Sequence, residues 1–268
     1  MLGPYSTTMT KAVAPVTEKY KVPMVEAEGA SRSLFTQGYK YMFAVLSTSE
    51  YYLAPVLDLI AQRAKADGKK PSDLRIGMAF ENDGFSLDVR AGVLDVAKKH
   101  GMKIVIDDKL PADLSDMSAT LTKFKALKPD ILLVSGHSKG AATAARQIEE
   151  MKINASAISI THCEAAKVHV KFPKSANGIL CPTQWLTNLP NNEPLFGDAQ
   201  RYDKEFKAAY PEYNTGIPYQ TAQASAAVLV FKDAFERANS FDRDKVRDAI
   251  SATNMDTFYG SIKFSEAG

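Results

Sequence analysis

The segment DILLVSGHSKGAATAARQIEEM, residues 130–151, contains Gly136-His137-Ser138-Lys139-Gly140, a match to G-x-S-x-G. That pattern can form a nucleophile elbow, a sharp strand-to-helix turn that exposes a serine hydroxyl for attack on an acyl carbon. An apolar run precedes it and an Ala-rich run follows, as the elbow requires. A working elbow also needs an acid and then a histidine further along the chain, on separate loops. The histidines are His100, His137, His162 and His169, and the first Asp after Ser138 is Asp198. Glu149 and Glu150 share the serine's helical run and Glu164 adjoins His162, so no combination supplies the usual relay. A turn from a parallel strand into a helix favours Gly and Ser for steric and capping reasons alone. Ser138 is therefore read as part of such a turn, with a serine hydrolase as the alternative.

Other chemistry finds less support. No G-x-G-x-x-G, G-x-x-x-x-G-K-[ST] or H-E-x-x-H occurs, and the histidines lack metal spacing, so no cofactor and no metal is expected. Cys163 and Cys181 have neither zinc nor thioredoxin spacing. Two buried free thiols are the favoured reading, and a disulfide between them stays open. Thirty-three basic residues nearly cancel thirty-one acidic ones, for a net charge of +2. Without a basic run, nucleic acid is not an expected partner. Apolar residues make up 45% and charged residues 24%, the profile of a globular chain able to bury a core. The longest apolar stretch is far shorter than the roughly 20 residues of a membrane helix.

The elements that must position these residues follow from periodicity. Strand-like runs occur at 74–80, 103–106, 130–134, 157–161 and 178–181, and helical stretches fill most intervals. Val89, Val93, Val96 and Ala97 share one helical face, and that helix stops at Gly101. Strands alternating with helices at this spacing predict βαβ units and a parallel sheet covered on both faces. The two ends are helix-rich, with helices expected over 10–20, 196–210, 221–239 and 242–252. Ala224, Ala227, Val228, Phe231 and Phe235 mark one stripe of the longest, read as its core face. The ends are expected to pack together as a second lobe.

Ligands of open α/β sheets collect at the carboxyl ends of the strands. Here those ends read ENDGFS, SGHSKG, THCEAA and PTQW, joined by GPYSTT and EGASRS from the N-terminal part. Hydroxyls and helix-start N–H groups suit a carboxylate, and aromatic faces suit a planar or apolar ligand body. No proton-transfer pair stands out, so the composition describes binding without chemistry.

Five stretches carry a resemblance: LGPYSTTMTKAVAPVTEKYKVPMVEAEGAS, LRIGMAFENDGFSLDVRAGVLDVAKKHGMKIV, DMSATLTKFKALKPDILLVSG, PYQTAQASAAVLV and TFYGSIKF. In their order the chain resembles the type I periplasmic binding proteins of ABC importers, the Leu/Ile/Val-binding and related amide- and aromatic-acid-binding family. The resemblance implies an α/β fold of two lobes, with parallel sheets flanked by helices. It implies lobe 1 over residues 1–48, lobe 2 over 49–184, a return to lobe 1 over 185–257, and hinge or lobe 2 over 258–268. It also implies that the N-terminal part of lobe 1 is missing, the chain being a fragment.

By motif, the family's carboxylate-binding hydroxyl falls on Thr7 with Ser6 beside it, and its second donor segment on Gly29, Ala30 and Ser31. The lobe 2 aromatic falls on Phe85, and the next strand-end aromatic on His137. The acid that receives a ligand's amino group belongs near Thr161 and His162, where this chain has only Glu164 nearby. That departure favours a carboxylate ligand without an ammonium. Trp185 and Tyr219 are further pocket candidates; Phe85 and Trp185 equally suit packing, and Tyr219 suits a structural place better. The function implied is an extracytoplasmic, periplasmic solute-binding protein that captures an amino acid or aromatic acid between hinged lobes and delivers it to an ABC permease. A ligand-sensing module of the same fold is the alternative. No enzyme activity is implied.

Overall fold

A computed structural model describes residues 1–164, 168 and 171–268, and divides the chain into two units. The first unit is Met1–Ser47 with Gln184–Gly268, and the second is Thr48–Thr183. His169 and residues 165–166 of the THCEAA stretch lie outside the described residues.

In chain order the helices are α1 (Thr7–Lys19), α2 (Arg32–Phe35), α3 (Ala54–Ala66), α4 (Gly84–His100) and α5 (Ser118–Leu127). They continue with α6 (Ser138–Glu150), α7 (Pro173–Ala176), α8 (Ala199–Ala209), α9 (Tyr219–Ala238) and α10 (Arg243–Ser251). The strands are β1 (Met24–Glu26), β2 (Met42–Ala44), β3 (Arg75–Glu81), β4 (Lys103–Leu110), β5 (Ile131–Ser135) and β6 (Ala157–Ile160). The short β7 (Ile179–Leu180), β8 (Asn192–Glu193) and β9 (Gly197–Asp198) precede the hairpin of β10 (Asn254–Thr257) and β11 (Gly260–Lys263). No described helix is long and apolar enough to cross a membrane.

The second unit is built on a five-stranded sheet of order β4-β3-β5-β6-β7, parallel throughout. This is the predicted βαβ arrangement. Apolar residues fill β3 and β5 because a parallel sheet is covered on both faces; every residue of β5 is buried. Leu132, Val134, Ala141, Ala144, Ala145 and Ile148 join one core, so α6 packs its small-residue face against β5. Helix α4 begins where Asp83 Oδ1 accepts the Ser86 N–H at 2.7 Å, and ends at Gly101 in the left-handed region. Cap and terminator are the residue types these positions favour.

The two cysteines correct the sequence reading of free thiols. Cys163 and Cys181 form a disulfide, their Cα atoms 5.4 Å apart. Strands β6 and β7 are paired neighbours, with Ser159 opposite Leu180, so residues just past their ends meet. A separation of 18 residues along the chain does not reveal that adjacency.

The first unit has a parallel pair, β1 with β2, under α9 and α10, and the antiparallel hairpin β10–β11. Its core joins Val25, Phe43, Ala226, Ala227, Val230, Ala234, Val246, Ile250 and Ile262. Two expectations are corrected here. The buried face of α9 is its alanine-rich one, whereas Val228 and Phe235 are 47% and 37% exposed. Alanines let the helix lie close on the strands, which moves the larger stripe to the flank. Residues 258–268, expected as hinge or lobe 2, belong to the first unit, because β11 pairs with β10 and buries Ile262 there.

Candidate functional site

In the second unit the strand ends β3, β5 and β6 stand side by side, so their turns emerge at one edge of the sheet. Phe85 occupies the first turn of α4, buried at 5% exposure. His137 is the N-cap residue of α6, and Thr161 and His162 follow β6. Thr161 Oγ1 donates to the Gly136 carbonyl at 2.7 Å and accepts the Gly136 N–H at 3.0 Å. His162 Nδ1 bonds the same carbonyl at 2.9 Å, which requires a proton on Nδ1. These bonds fix the glycine of the GHSKG turn from the neighbouring strand end.

The structure thereby brings four sequence candidates of this unit together. Phe85 lies 5.5 Å from His137 and 5.4 Å from His162, ring centre to ring centre, and the two histidines are 5.7 Å apart. Tyr52, which the sequence reading missed, completes the cluster edge-on to Phe85 at 5.1 Å. Nothing in the run EYYLAP distinguishes Tyr52 from its exposed neighbour Tyr51.

The charges in this cluster follow from burial and hydrogen bonding. Burial pushes His162 down to about 4, aided by nearby His137, so its ring is neutral. Burial also works against a charge on His137, yet its hydrogen bond to Asp83 at 2.9 Å and the charges of Asp83 and Glu81 hold it above the ordinary value. Glu81, at the end of β3, is 1% exposed, and burial pushes it up to about 7. Glu164 is likewise raised to about 7 by burial, and its Oε2 has no hydrogen-bond partner among the described residues. Glu81, Asp83 and His137 place one ligand-type atom each within 4.8 Å of one another, the one such group among the described residues.

A histidine–acid pair thus exists beside Ser138, with the acid ahead of the serine in the chain rather than behind it. No hydrogen bond joins Ser138 Oγ to either member among the described residues. Ser138 instead lines a groove of about 280 Å³ with Lys139, Ala142, Thr143, Arg146 and Lys171. Among the described residues no base is hydrogen-bonded to the hydroxyl, and the turn reading is kept over the elbow.

The first unit carries a separate polar cluster. Ser6 is the N-cap residue of α1 and Thr7 its first residue, and Thr7 Oγ1 accepts the Ser31 N–H at 3.3 Å. Ser31 precedes α2 and lies 2.8 Å from Ser33, oxygen to oxygen. The loop between them is shaped by Glu26, fully buried at the end of β1. Its Oε1 accepts the N–H groups of Glu28 and Gly29 at 2.6 and 2.7 Å, and Oε2 accepts from Thr10 Oγ1 at 2.8 Å. A Cβ at Gly29 would lie 2.3 Å from Thr10 Oγ1, which is why glycine stands there. Ala30 is buried beside it at 2% exposure. Burial, with the Glu26 carboxylate next to it, pushes Glu28 up to about 8.

Trp185 and Tyr219 belong to the same unit. Trp185 donates Nε1–H to the Phe258 carbonyl at 3.1 Å and meets Tyr202 edge-on at 5.7 Å, inside an aromatic core. Tyr219, 3% exposed, opens α9.

A family model described as periplasmic binding protein matches residues 1–268. The chain is 23% identical over 151 residues to the Leu/Ile/Val-binding protein homolog 8 of Brucella abortus, a match covering 56% of this chain and 38% of that protein. A solute-binding protein of an R. palustris ABC transporter, solved with benzoate, superposes at TM-score 0.83 with 15% identity, covering 99% of this chain and 70% of that one. A branched-chain amino acid transporter substrate-binding protein from Streptococcus pneumoniae, solved with isoleucine, gives TM-score 0.78 and 16% identity, covering 98% and 71%. At such identities the structural likenesses establish the two-lobed type I fold. The match over the whole sequence establishes the family: the chain belongs to the periplasmic binding proteins.

Proposed function

We propose that this chain is an extracytoplasmic solute-binding protein that captures a small carboxylate-bearing ligand and delivers it to an ABC permease. The observation that carries the reading is the pairing of Thr7 with Ser31 at the starts of two helices in the first unit. Hydroxyls and unsatisfied helix-start N–H groups are what a carboxylate seeks. The four-ring cluster of the second unit offers aromatic faces to a planar ligand body. The disulfide agrees with an oxidising compartment such as the periplasm.

Aromatic acids are favoured over amino acids within this reading. An ammonium group needs an anionic partner. Glu28 and Glu164, each within two residues of a predicted contact, are held toward their protonated forms by burial, and Asp83, held below the ordinary value, is already engaged by His137 and the Ser86 N–H. Contacts with ligand that exist in one arrangement of the hinged lobes and not another shift the population toward it.

The test is a thermal-shift and calorimetric panel of benzoate, 3,4-dihydroxybenzoate, leucine and isoleucine. A ligand at a hundred times its dissociation constant adds about 2.7 kcal/mol, a rise of roughly 5–10 °C for a chain of this size. Aromatic acids are expected to give that rise, and Ser31→Ala to weaken binding about tenfold or more. Binding of the amino acids alone would overturn the aromatic preference, and no response to any carboxylate would overturn the reading.

A further inference from the structure

We propose that Glu81, Asp83 and His137 form a binding site for a divalent transition ion, with zinc as the type. The inference is independent of the solute reading. Two carboxylates and one imidazole are a donor set for zinc and its neighbours, whereas magnesium and calcium take oxygen-only shells. The three ligand atoms already lie within 4.8 Å of one another, from the ends of two adjacent strands.

Glu81 supplies the independent observation. It is 1% exposed, and its Oε2 has no hydrogen-bond partner among the described residues. A buried carboxylate oxygen without a donor is a costly arrangement that a bound cation relieves. The fold also makes room for this side chain, since a Cβ on Gly136 or on Gly140 would stand 2.6 Å from Glu81 Oε1. The two outer glycines of GHSKG therefore serve the carboxylate beneath them rather than a nucleophile.

The remaining two ligands are disposed to match. Asp83 keeps Oδ1 on the Ser86 N–H as the cap of α4, while Oδ2 meets His137 Nε2 at 2.9 Å. Ligand atoms around tetrahedral zinc lie ~3.4 Å apart, so an ion could replace that hydrogen bond after an opening of about half an ångström, leaving the cap intact. The side chains of His137 and Asp83 are 29% and 17% exposed, which leaves a path for the ion and a position for water. Such an ion would tie the β3–α4 turn to the β5–α6 turn beside Phe85.

The experiment uses the whole chain, stripped with chelator and titrated with zinc chloride by calorimetry without added solute. Saturable binding of about one ion is expected, weakened at least about tenfold by Glu81→Gln and by Asp83→Asn. Asn caps a helix as well as Asp, and Gln is isosteric with Glu, so both variants are expected to fold, which circular dichroism verifies. His100→Gln, at a surface pair with Asp58, should leave binding unchanged. X-ray absorption at the zinc edge of the unaltered protein reads the shell directly, and one imidazole with oxygen ligands supports the site. No saturable binding, binding that survives Glu81→Gln and Asp83→Asn, or a shell of several imidazoles would overturn it.

Discussion

Thr10 Oγ1 lies within hydrogen-bonding distance of the Pro4 and Ser6 carbonyls and of Glu26 Oε2, at 3.0, 2.9 and 2.8 Å, and the residue is fully buried. Removing the hydroxyl strands a buried carboxylate oxygen, which costs more than the lost bond. Thr10→Val should therefore lower stability by about 1–3 kcal/mol in a denaturant titration, despite its near-identical shape. Glu28 in the same loop makes a pH-dependent prediction. Its pKa is about 8 in the folded chain against an ordinary 4.5, raised by burial and by Glu26. Between those values the folded chain keeps a proton that the unfolded chain has released, so this group's contribution to stability falls as pH rises. Glu28→Gln removes that dependence. Its melting temperature relative to the unaltered protein should climb from pH 5 to pH 8 and level off above. A flat difference across that range would mean that Glu28 ionises normally.

Among the elements, α4 carries the tightest constraint. A Cβ on Gly92 would stand 1.9 Å from the backbone carbonyl oxygen of Glu50, in the short helical turn Ser49–Tyr51. Backbone does not yield as a flexible side chain does. Gly92→Ala should cost about 3 kcal/mol or more, seen as a loss of folded yield or a large drop in melting temperature. That substitution would normally favour a helix by up to about 1 kcal/mol, so the sign of the effect identifies the close approach. Helix α9 illustrates the same principle from the other side. Its buried face joins Ala226, Ala227, Val230 and Ala234 against β1 and β2, so of the expected stripe Ala227 and Phe231 meet the core while Val228 and Phe235 do not.

At the scale of the molecule, the disulfide closes the last two strands of the second unit's sheet, where β7 contributes only Ile179 and Leu180. A two-residue edge strand has little pairing of its own. Reduction, or Cys163→Ser with Cys181→Ser, should lower stability by about 3 kcal/mol through the freed loop of the unfolded chain. Denaturation midpoints with and without reductant measure it, and equal midpoints would show that the bond constrains nothing. The order of strands and helices in this unit was legible in the sequence, because parallel strands buried on both faces are short apolar runs and the helices between them repeat every three to four residues. The candidate residues Thr7, Ser31, Phe85, His137 and His162 are named through the family resemblance of the turns that hold them, not from periodicity. What only the tertiary structure decided was adjacency: that Cys163 meets Cys181, that Asp83 meets His137, that Tyr52 joins Phe85, and that Glu81 lies buried with an oxygen unpartnered. Periodicity reports which face of an element is apolar. It carries no record of which strand ends become neighbours, because that is settled by the order of strands in the sheet.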